Sequence, residues 1–233
     1  MVPPLVLDID GTLTTVDGRL DPRVLELLPD WEAPVVLATG KAFPYPVALA
    51  GFLGRDATVI AENGGVVHVD DETSLLADPS APRAVIEAFL ERGGDLGWGG
   101  DETVNRWRET EVAVSVDADE ALLREVAAAA GDEVEVVDTG YAFHVKSPDV
   151  NKGEGLARVA GSLGVDPEAF VAVGDSENDV STFEVAGTAY AVANADPAAT
   201  AAADVVLEAG YMDGTAAVLE ALAAGETPPG RRR

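Results

Sequence analysis

The sequence predicts an α/β fold, a doubly wound and mainly parallel sheet into which a smaller α+β unit is inserted. Three observations carry this. Short unbroken apolar runs at 5–7, 35–38 and 170–173 have the length and texture of strands buried on both faces, and a further strand is read at 57–61. Helical segments alternate with such strands at both ends of the chain. Between about 82 and 149 the texture changes to shorter strands around a glycine-rich loop. The predicted partition is therefore 1–81 with 150–233 for the larger domain, and 82–149 for the insertion.

The elements follow in order. The run 5–7 ends in Asp8-Ile9-Asp10-Gly11-Thr12. Thr14 to Leu20, with Asp17-Gly18 at its middle, reads as a small hairpin flap. Asp21-Pro22 signals a helix start, with Val24, Leu25, Leu27 and Leu28 as its apolar stripe. Strand 35–38 ends in Thr39-Gly40-Lys41, and Pro44 and Pro46 open a helix to about Leu53. Strand 57–61 leads through Glu62-Asn63-Gly64-Gly65 into 66–69, read as a hairpin. In the insertion, 82–92 is an amphipathic helix, 93–100 a loop and 112–116 a strand. A helix over 119–130 is capped by Asp119 and ended by Gly131, and strands follow at 134–137 and 141–145. Asn151-Lys152-Gly153 opens a helix ended by Gly164. Strand 170–173 runs into Gly174-Asp175-Ser176-Glu177-Asn178-Asp179 and a helix to about Val185. Strands at 189–193 and 205–207 and helices at 197–203 and 214–223 complete a Rossmann-like core. The closing Arg231-Arg232-Arg233 reads as a loose tail.

Composition narrows the chemistry. The 233 residues include no cysteine and only two histidines, His68 and His144, so disulfides, thiolate sites and histidine-rich metal or triad chemistry are disfavoured. Carboxylates must carry the reaction. No run reaches the ~18 apolar residues of a membrane span, and the N-terminus lacks a secretory signal, so a cytoplasmic protein without membrane partners is expected. The net charge of −27 is spread along the chain, and Lys41, Lys146 and Lys152 are its only lysines. Such a surface suits a protein adapted to molar salt, where self-repulsion is screened, and it disfavours nucleic acid as a partner.

Asp8 and Asp10 point to the same side of an extended chain at a strand's carboxyl end, where parallel sheets assemble their sites. Thr39, Lys152 and the group Asp175, Asn178 and Asp179 stand at equivalent positions. Asp175 and Asp179, four apart, share one face of a helical turn. Four carboxylates converging without histidine or cysteine select Mg²⁺ or a similar hard ion. A hydroxyl and a lysine beside them suit a phosphate, and an aspartate is able to attack phosphorus.

Asp8-Ile9-Asp10-Gly11-Thr12, Thr39-Gly40, Lys152-Gly153 and Gly174-Asp175-Ser176-Glu177-Asn178-Asp179 together resemble, in order, the four signature segments of the haloacid dehalogenase superfamily. The insertion resembles that superfamily's larger α/β cap, and the layout is most similar to archaeal-type phosphoglycolate phosphatases. The resemblance implies that Asp8 is the nucleophile and Asp10 the general acid and base, with its backbone carbonyl on the metal. It implies that Thr39 and Lys152 hold the phosphate, that Asp175 and Asp179 bind Mg²⁺ with Asp8 and Asp10, and that Asn178 and Gly40 support the site. The expected activity is hydrolysis of a small phosphate monoester, 2-phosphoglycolate first, by a monomer or homodimer. A sugar-phosphate phosphatase or phosphomutase is the alternative, and a non-catalytic binding module the remote one. Lys41 departs from the arginine common in capped relatives, and a lysine cannot make a forked contact. For a substrate carboxylate, the cap offers Arg106, Arg108, His144 and Lys146.

Overall fold

The computed structural model describes residues 2–100 and 103–232. In chain order the elements are β1 (Leu5–Asp8), α1 (Val24–Leu27), β2 (Val35–Ala38), α2 (Pro44–Phe52), β3 (Val59–Ala61), β4 (Val66–Val69), β5 (Glu72–Leu75), α3 (Ser80–Glu91), α4 (Thr103–Arg106), β6 (Val112–Ser115) and α5 (Glu120–Ala129). They continue as β7 (Glu135–Asp138), β8 (Ala142–Lys146), α6 (Lys152–Leu163), β9 (Val171–Gly174), α7 (Val180–Val185), β10 (Thr188–Ala191), α8 (Pro197–Ala202), β11 (Val205–Val206), α9 (Tyr211–Ala224) and β12 (Arg231–Arg232).

The large sheet has the order β12-β11-β10-β9-β1-β2-β3-β4-β5. It is parallel from β11 to β3 and antiparallel at both edges. β1 lies between β2 and β9, where the order of connection reverses, so its carboxyl end opens on the crevice that such sheets use for ligands. Every residue of β1 is buried because both faces are covered. Leu5 and Leu7 pack with α1, α2 and α9 through Val24, Leu49, Met212 and Leu219. Val6 faces the opposite side, against Leu156 and Val159 of α6 and Phe183 of α7. The period-2 alternation thus feeds two separate cores.

A second, antiparallel sheet runs β6-β8-β7. Its Val114, Phe143 and Val145 pack against Val85 and Phe89 of α3 and Leu123 and Val126 of α5. With that face covered, the alternation along β8 turns Ala142, His144 and Lys146 to the other.

Several elements differ from the sequence reading. Within the expected loose tail, Arg231 and Arg232 instead pair with Val206 and Val205 as an edge strand, while Arg233 lies outside the described residues. β5 was not anticipated, because Glu72-Thr73-Ser74-Leu75 is an exposed edge with no apolar run to signal it. Helix α1 begins after Asp21, whose carboxylate accepts the Arg23 N–H at 3.0 Å and so closes a turn before the helix. The segment after Gly174 opens with a 3₁₀ turn, Glu177–Asp179, before α7. The flap is present as a turn, with Thr14 bridging Leu20. No helix among the described residues is long and apolar enough to cross a membrane.

Candidate active site

Asp8 ends β1 and is 5% exposed. Its Oδ1 accepts a hydrogen bond from Lys152 Nζ at 2.8 Å, while its Oδ2 is buried without a hydrogen-bond partner. After it the chain turns sharply, the Leu13 N–H reaching back to the Ile9 carbonyl at 2.9 Å. Gly11 makes that turn at φ +80°, and a Cβ there would lie 1.9 Å from Asp175 Oδ2. A side chain at this position would therefore occupy the space of the carboxylate pocket.

Lys152 begins α6, whose N-terminus is capped by Asn151. Its ammonium is completely buried and also donates to Asp179 Oδ1 at 2.6 Å and Asn178 Oδ1 at 3.1 Å. Asp179 in turn accepts the N–H groups of Asp175 and Ser176 on its other oxygen, at 3.0 and 3.2 Å, in a capping box. Asp8, Asp175 and Asp179 each bring one carboxylate oxygen within 4.8 Å of the others. One ammonium does not balance three carboxylates here. Burial, then the charges of Asp179 and Asp10, raise Asp8 to about 7 against the opposing pull of Lys152. Burial, with Asp8 and Asp179, raises Asp175 to about 9. Lys152 is pushed above its usual value despite its burial, by Asp179 and Asp8. A buried, cation-deficient set of oxygen donors, one of them unpartnered, fits a hard divalent cation.

Asp10 does not join this group, so three carboxylates converge rather than four. Its Oδ1 turns instead to Lys41 Nζ at 3.1 Å, and Lys41 is a partner of Asp10 rather than a purely solvated lysine. Thr39 is fully buried, its Oγ1 accepting the Lys41 N–H at 3.1 Å and its carbonyl accepting the Asn63 N–H. It shapes the Gly40–Lys41 backbone from behind, and Gly40 and Lys41 themselves line the cleft. That cleft, of about 270 Å³, is bounded by Asp8, Asp10 and Lys41 on the core side and by Arg108, Tyr141 and His144 on the other. Of the remaining cap bases, Lys146 donates to Glu135 and to the carbonyls of Ser147 and Val150, and neither it nor Arg106 lines the cleft.

Four residues that the sequence reading did not single out join the parts. Glu111 is fully buried, accepting from Arg108 Nη1, lying 2.7 Å from His144 Nδ1 and accepting from Asn63 Nδ2 at 2.9 Å. Burial opposes its charge, yet His144 and Arg108 hold its carboxyl down at about 2. Asn63 Oδ1 accepts from Asn178 Nδ2 at 2.9 Å, so hydrogen bonds run unbroken from Arg108 to Lys152. Glu62 accepts the N–H groups of Glu109 and Thr110 and the Thr110 hydroxyl, at 2.8 to 3.0 Å. Asn194 donates to the Gly11 carbonyl at 3.1 Å and to Asp175 at 3.3 Å. Only Glu62-Asn63-Gly64-Gly65 carried any sequence signal, and it was that of a turn.

A buried aspartate with one oxygen free, at the carboxyl end of the central strand, with an aspartate-lysine-aspartate cluster behind it, defines a hydrolase of the haloacid dehalogenase type. The chain belongs to the haloacid dehalogenase-like hydrolase family, whose sequence profile matches residues 5–95 and 105–219. Among individual proteins, it is 77% identical over 219 residues to a protein of Halorubrum lacusprofundi named phosphoglycolate phosphatase, covering 94% of this chain and 96% of that one. It is 53% identical over 224 residues to a Natronomonas pharaonis protein of the same name, covering 95% and 97%. Its fold matches the crystal structure of a Thermoplasma acidophilum protein with a TM-score of 0.83 at 22% identity, covering 96% of this chain and 99% of that one.

Proposed function

We propose that this hydrolase is a Mg²⁺-dependent phosphatase acting on 2-phosphoglycolate, with residues 82–149 serving as a cap over a core of 1–81 and 150–233. The observation that carries the reading is Asp8 Oδ2, a buried carboxylate oxygen without a partner at the floor of the cleft. Asp8, Asp175 and Asp179, with the Asp10 backbone carbonyl, would hold the ion. When bound, Mg²⁺ offsets the repulsion between carboxylate and phosphate and stabilises charge on the phosphoryl oxygens.

The chain's own residues then account for each step. Asp8 attacks phosphorus, and the bond from phosphorus to the ester oxygen breaks, leaving an aspartyl phosphate. Asp10 gives its proton to the departing alkoxide and, now a carboxylate, takes a proton from the water that attacks the same phosphorus. The Asp8–phosphorus bond breaks, releasing inorganic phosphate and restoring Asp8. Lys152 fixes Asp8 Oδ1 and so aims the other oxygen. Lys41 orients Asp10 through the 3.1 Å contact. Thr39 and Gly40 set the backbone that receives the phosphate.

Substrate choice rests on the relatives' name and on the small cleft, since drug-sized ligand sites begin near ~300 Å³. Tyr45, Trp98 and Tyr141 also line it, and aromatic walls favour the second reading, a sugar phosphate. Phosphate release from a panel of monoesters, in molar KCl with and without Mg²⁺, decides. Mg²⁺-dependent preference for 2-phosphoglycolate supports the proposal. Preference for hexose or pentose phosphates replaces its substrate, and no release from any ester removes it.

A further inference from the structure

Two of the cap's basic residues face the same cleft as Asp8, and both are set by one buried carboxylate. Glu111 binds Arg108 through Nη1 and His144 through Nδ1. Arg108 is further fixed by Nη1 to the Gly40 carbonyl at 2.8 Å and by Nε to the Val104 carbonyl at 3.2 Å. Its side chain is only 6% exposed and that of His144 4%. Yet Arg108 Nη2 and His144 Nε2 make no hydrogen bond among the described residues. A guanidinium arm held this rigidly at a cleft wall and left unused suits a ligand anion rather than solvent. Glu111 is one anion shared between two basic groups and an amide, so it does not exhaust Arg108's capacity for a second anion.

We infer that Arg108, oriented by Glu111 with His144 beside it, is the specificity-determining residue of this enzyme, its free Nη2 arm taking a carboxylate of the substrate. The preferred ester then carries a carboxylate close to the phosphorylated oxygen, because core and cap meet across a cleft of only about 270 Å³. The phosphate end lies at Asp8 and the carboxylate end at Arg108. A polyol phosphate would leave the guanidinium arm without its anion, and a site built for a polar group rejects analogues that lack it. The contact to the Gly40 carbonyl adds a consequence. Arg108 is held by the core loop that borders the phosphate end, so the carboxylate site exists only when cap and core are apposed. This inference rests on the phosphatase reading above.

The test compares kcat/KM for 2-phosphoglycolate and for ethyl phosphate, which replaces the carboxylate with a methyl group. Both are measured with the wild type, Arg108→Gln and Arg108→Lys in molar KCl with Mg²⁺. The wild type should prefer 2-phosphoglycolate, and Arg108→Gln should lower that selectivity ratio by about 10- to 100-fold, chiefly through KM, as expected for one charge-assisted contact. Arg108→Lys, which keeps the charge and loses the fork, should fall between. An equal loss on both esters would make Arg108 a cap-positioning residue and overturn the inference while leaving the phosphatase reading intact. A wild type that hydrolyses both esters equally would do the same, whereas a wild type inactive on all esters would remove both. Should the Gln variant fail to fold by circular dichroism, competitive inhibition of the wild type by glycolate but not by ethanol supports the inference, and inhibition by neither overturns it.

Discussion

Asp8 keeps one carboxylate oxygen on Lys152 and one free, and that asymmetry sets what its substitution must do. Asp8→Asn should abolish phosphate release in a continuous phosphate assay, since a neutral amide is no nucleophile toward phosphorus. Asp10→Asn should retain the aspartyl phosphate chemistry poorly, slowing turnover by roughly 10²- to 10⁴-fold, the loss typical of a missing general acid and base. The raised values of Asp8, about 7, and Asp175, about 9, carry a sign. At neutral pH Asp175 keeps its proton and Asp8 is about half protonated, so a cation held by these oxygens would displace protons. Calorimetry at pH 7 should therefore show proton release in buffers of differing ionisation heat, and affinity should rise as pH climbs toward 9. Glu111 has the opposite sign, its folded value of about 2 lying below the usual 4.5. The stability it contributes is present above about 4.5 and lost as pH falls toward 2. Glu111→Gln should flatten that acid slope and lower stability by about 1–3 kcal/mol in urea titrations.

Glu62 and Asn63 form a short helical turn between β3 and β4, and both adopt positive φ, 51° and 53°. Non-glycine residues rarely hold this conformation unless their surroundings impose it. Here both side chains reach into the segment that leads to β6. Glu62 gathers two backbone N–H groups and a hydroxyl of Glu109 and Thr110, and Asn63 binds Glu111. This turn is the clasp between core and cap. Gly40 lies against the same junction, where a Cβ would approach Asn63 Oδ1 to 3.1 Å and His144 Cε1 to 3.2 Å. Glu62→Ala should strand those donors at a cost of about 1–3 kcal/mol. Native-state hydrogen exchange should speed at residues 109 and 110 while β1 and β9 remain protected.

At the scale of the whole molecule the dominant fact is the charge of −27. Screening shortens from ~10 Å at 0.1 M salt to ~3 Å at 1 M, so repulsion among surface acids fades only at high salt. Thermal unfolding should shift upward as KCl rises toward molar, and activity should follow. Full stability in dilute buffer would contradict this. The relatives in Halorubrum lacusprofundi and Natronomonas pharaonis belong to halophilic archaea, in keeping with such a surface. Exposed pairs such as Arg19 with Asp17 and Arg124 with Glu120 contribute little on their own.

The sequence by itself determined where the buried parallel strands lie and which polar residues stand at their carboxyl ends. Both follow from local pattern, since an unbroken apolar run ending in Asp8, Thr39 or Gly174 is visible without knowing what packs on it. It also determined the chemistry, because a chain without cysteine and with two histidines leaves carboxylates as the reactive groups. Only the tertiary structure decided which of these meet. It put Asp10 on Lys41 rather than among the other aspartates, turned Lys146 toward Glu135, and chose Arg108 and His144 from the four candidate bases Arg106, Arg108, His144 and Lys146. It also revealed Glu62, Asn63, Glu111 and Asn194, whose side-chain partners, Arg108 beside Glu111 apart, lie 17 to 183 residues away along the chain. A buried polar group is defined by its partner and by the water it has lost, and neither is a property of local sequence. The same reason hid β5 and β12, edge strands made by the neighbour they pair with rather than by any apolar pattern of their own.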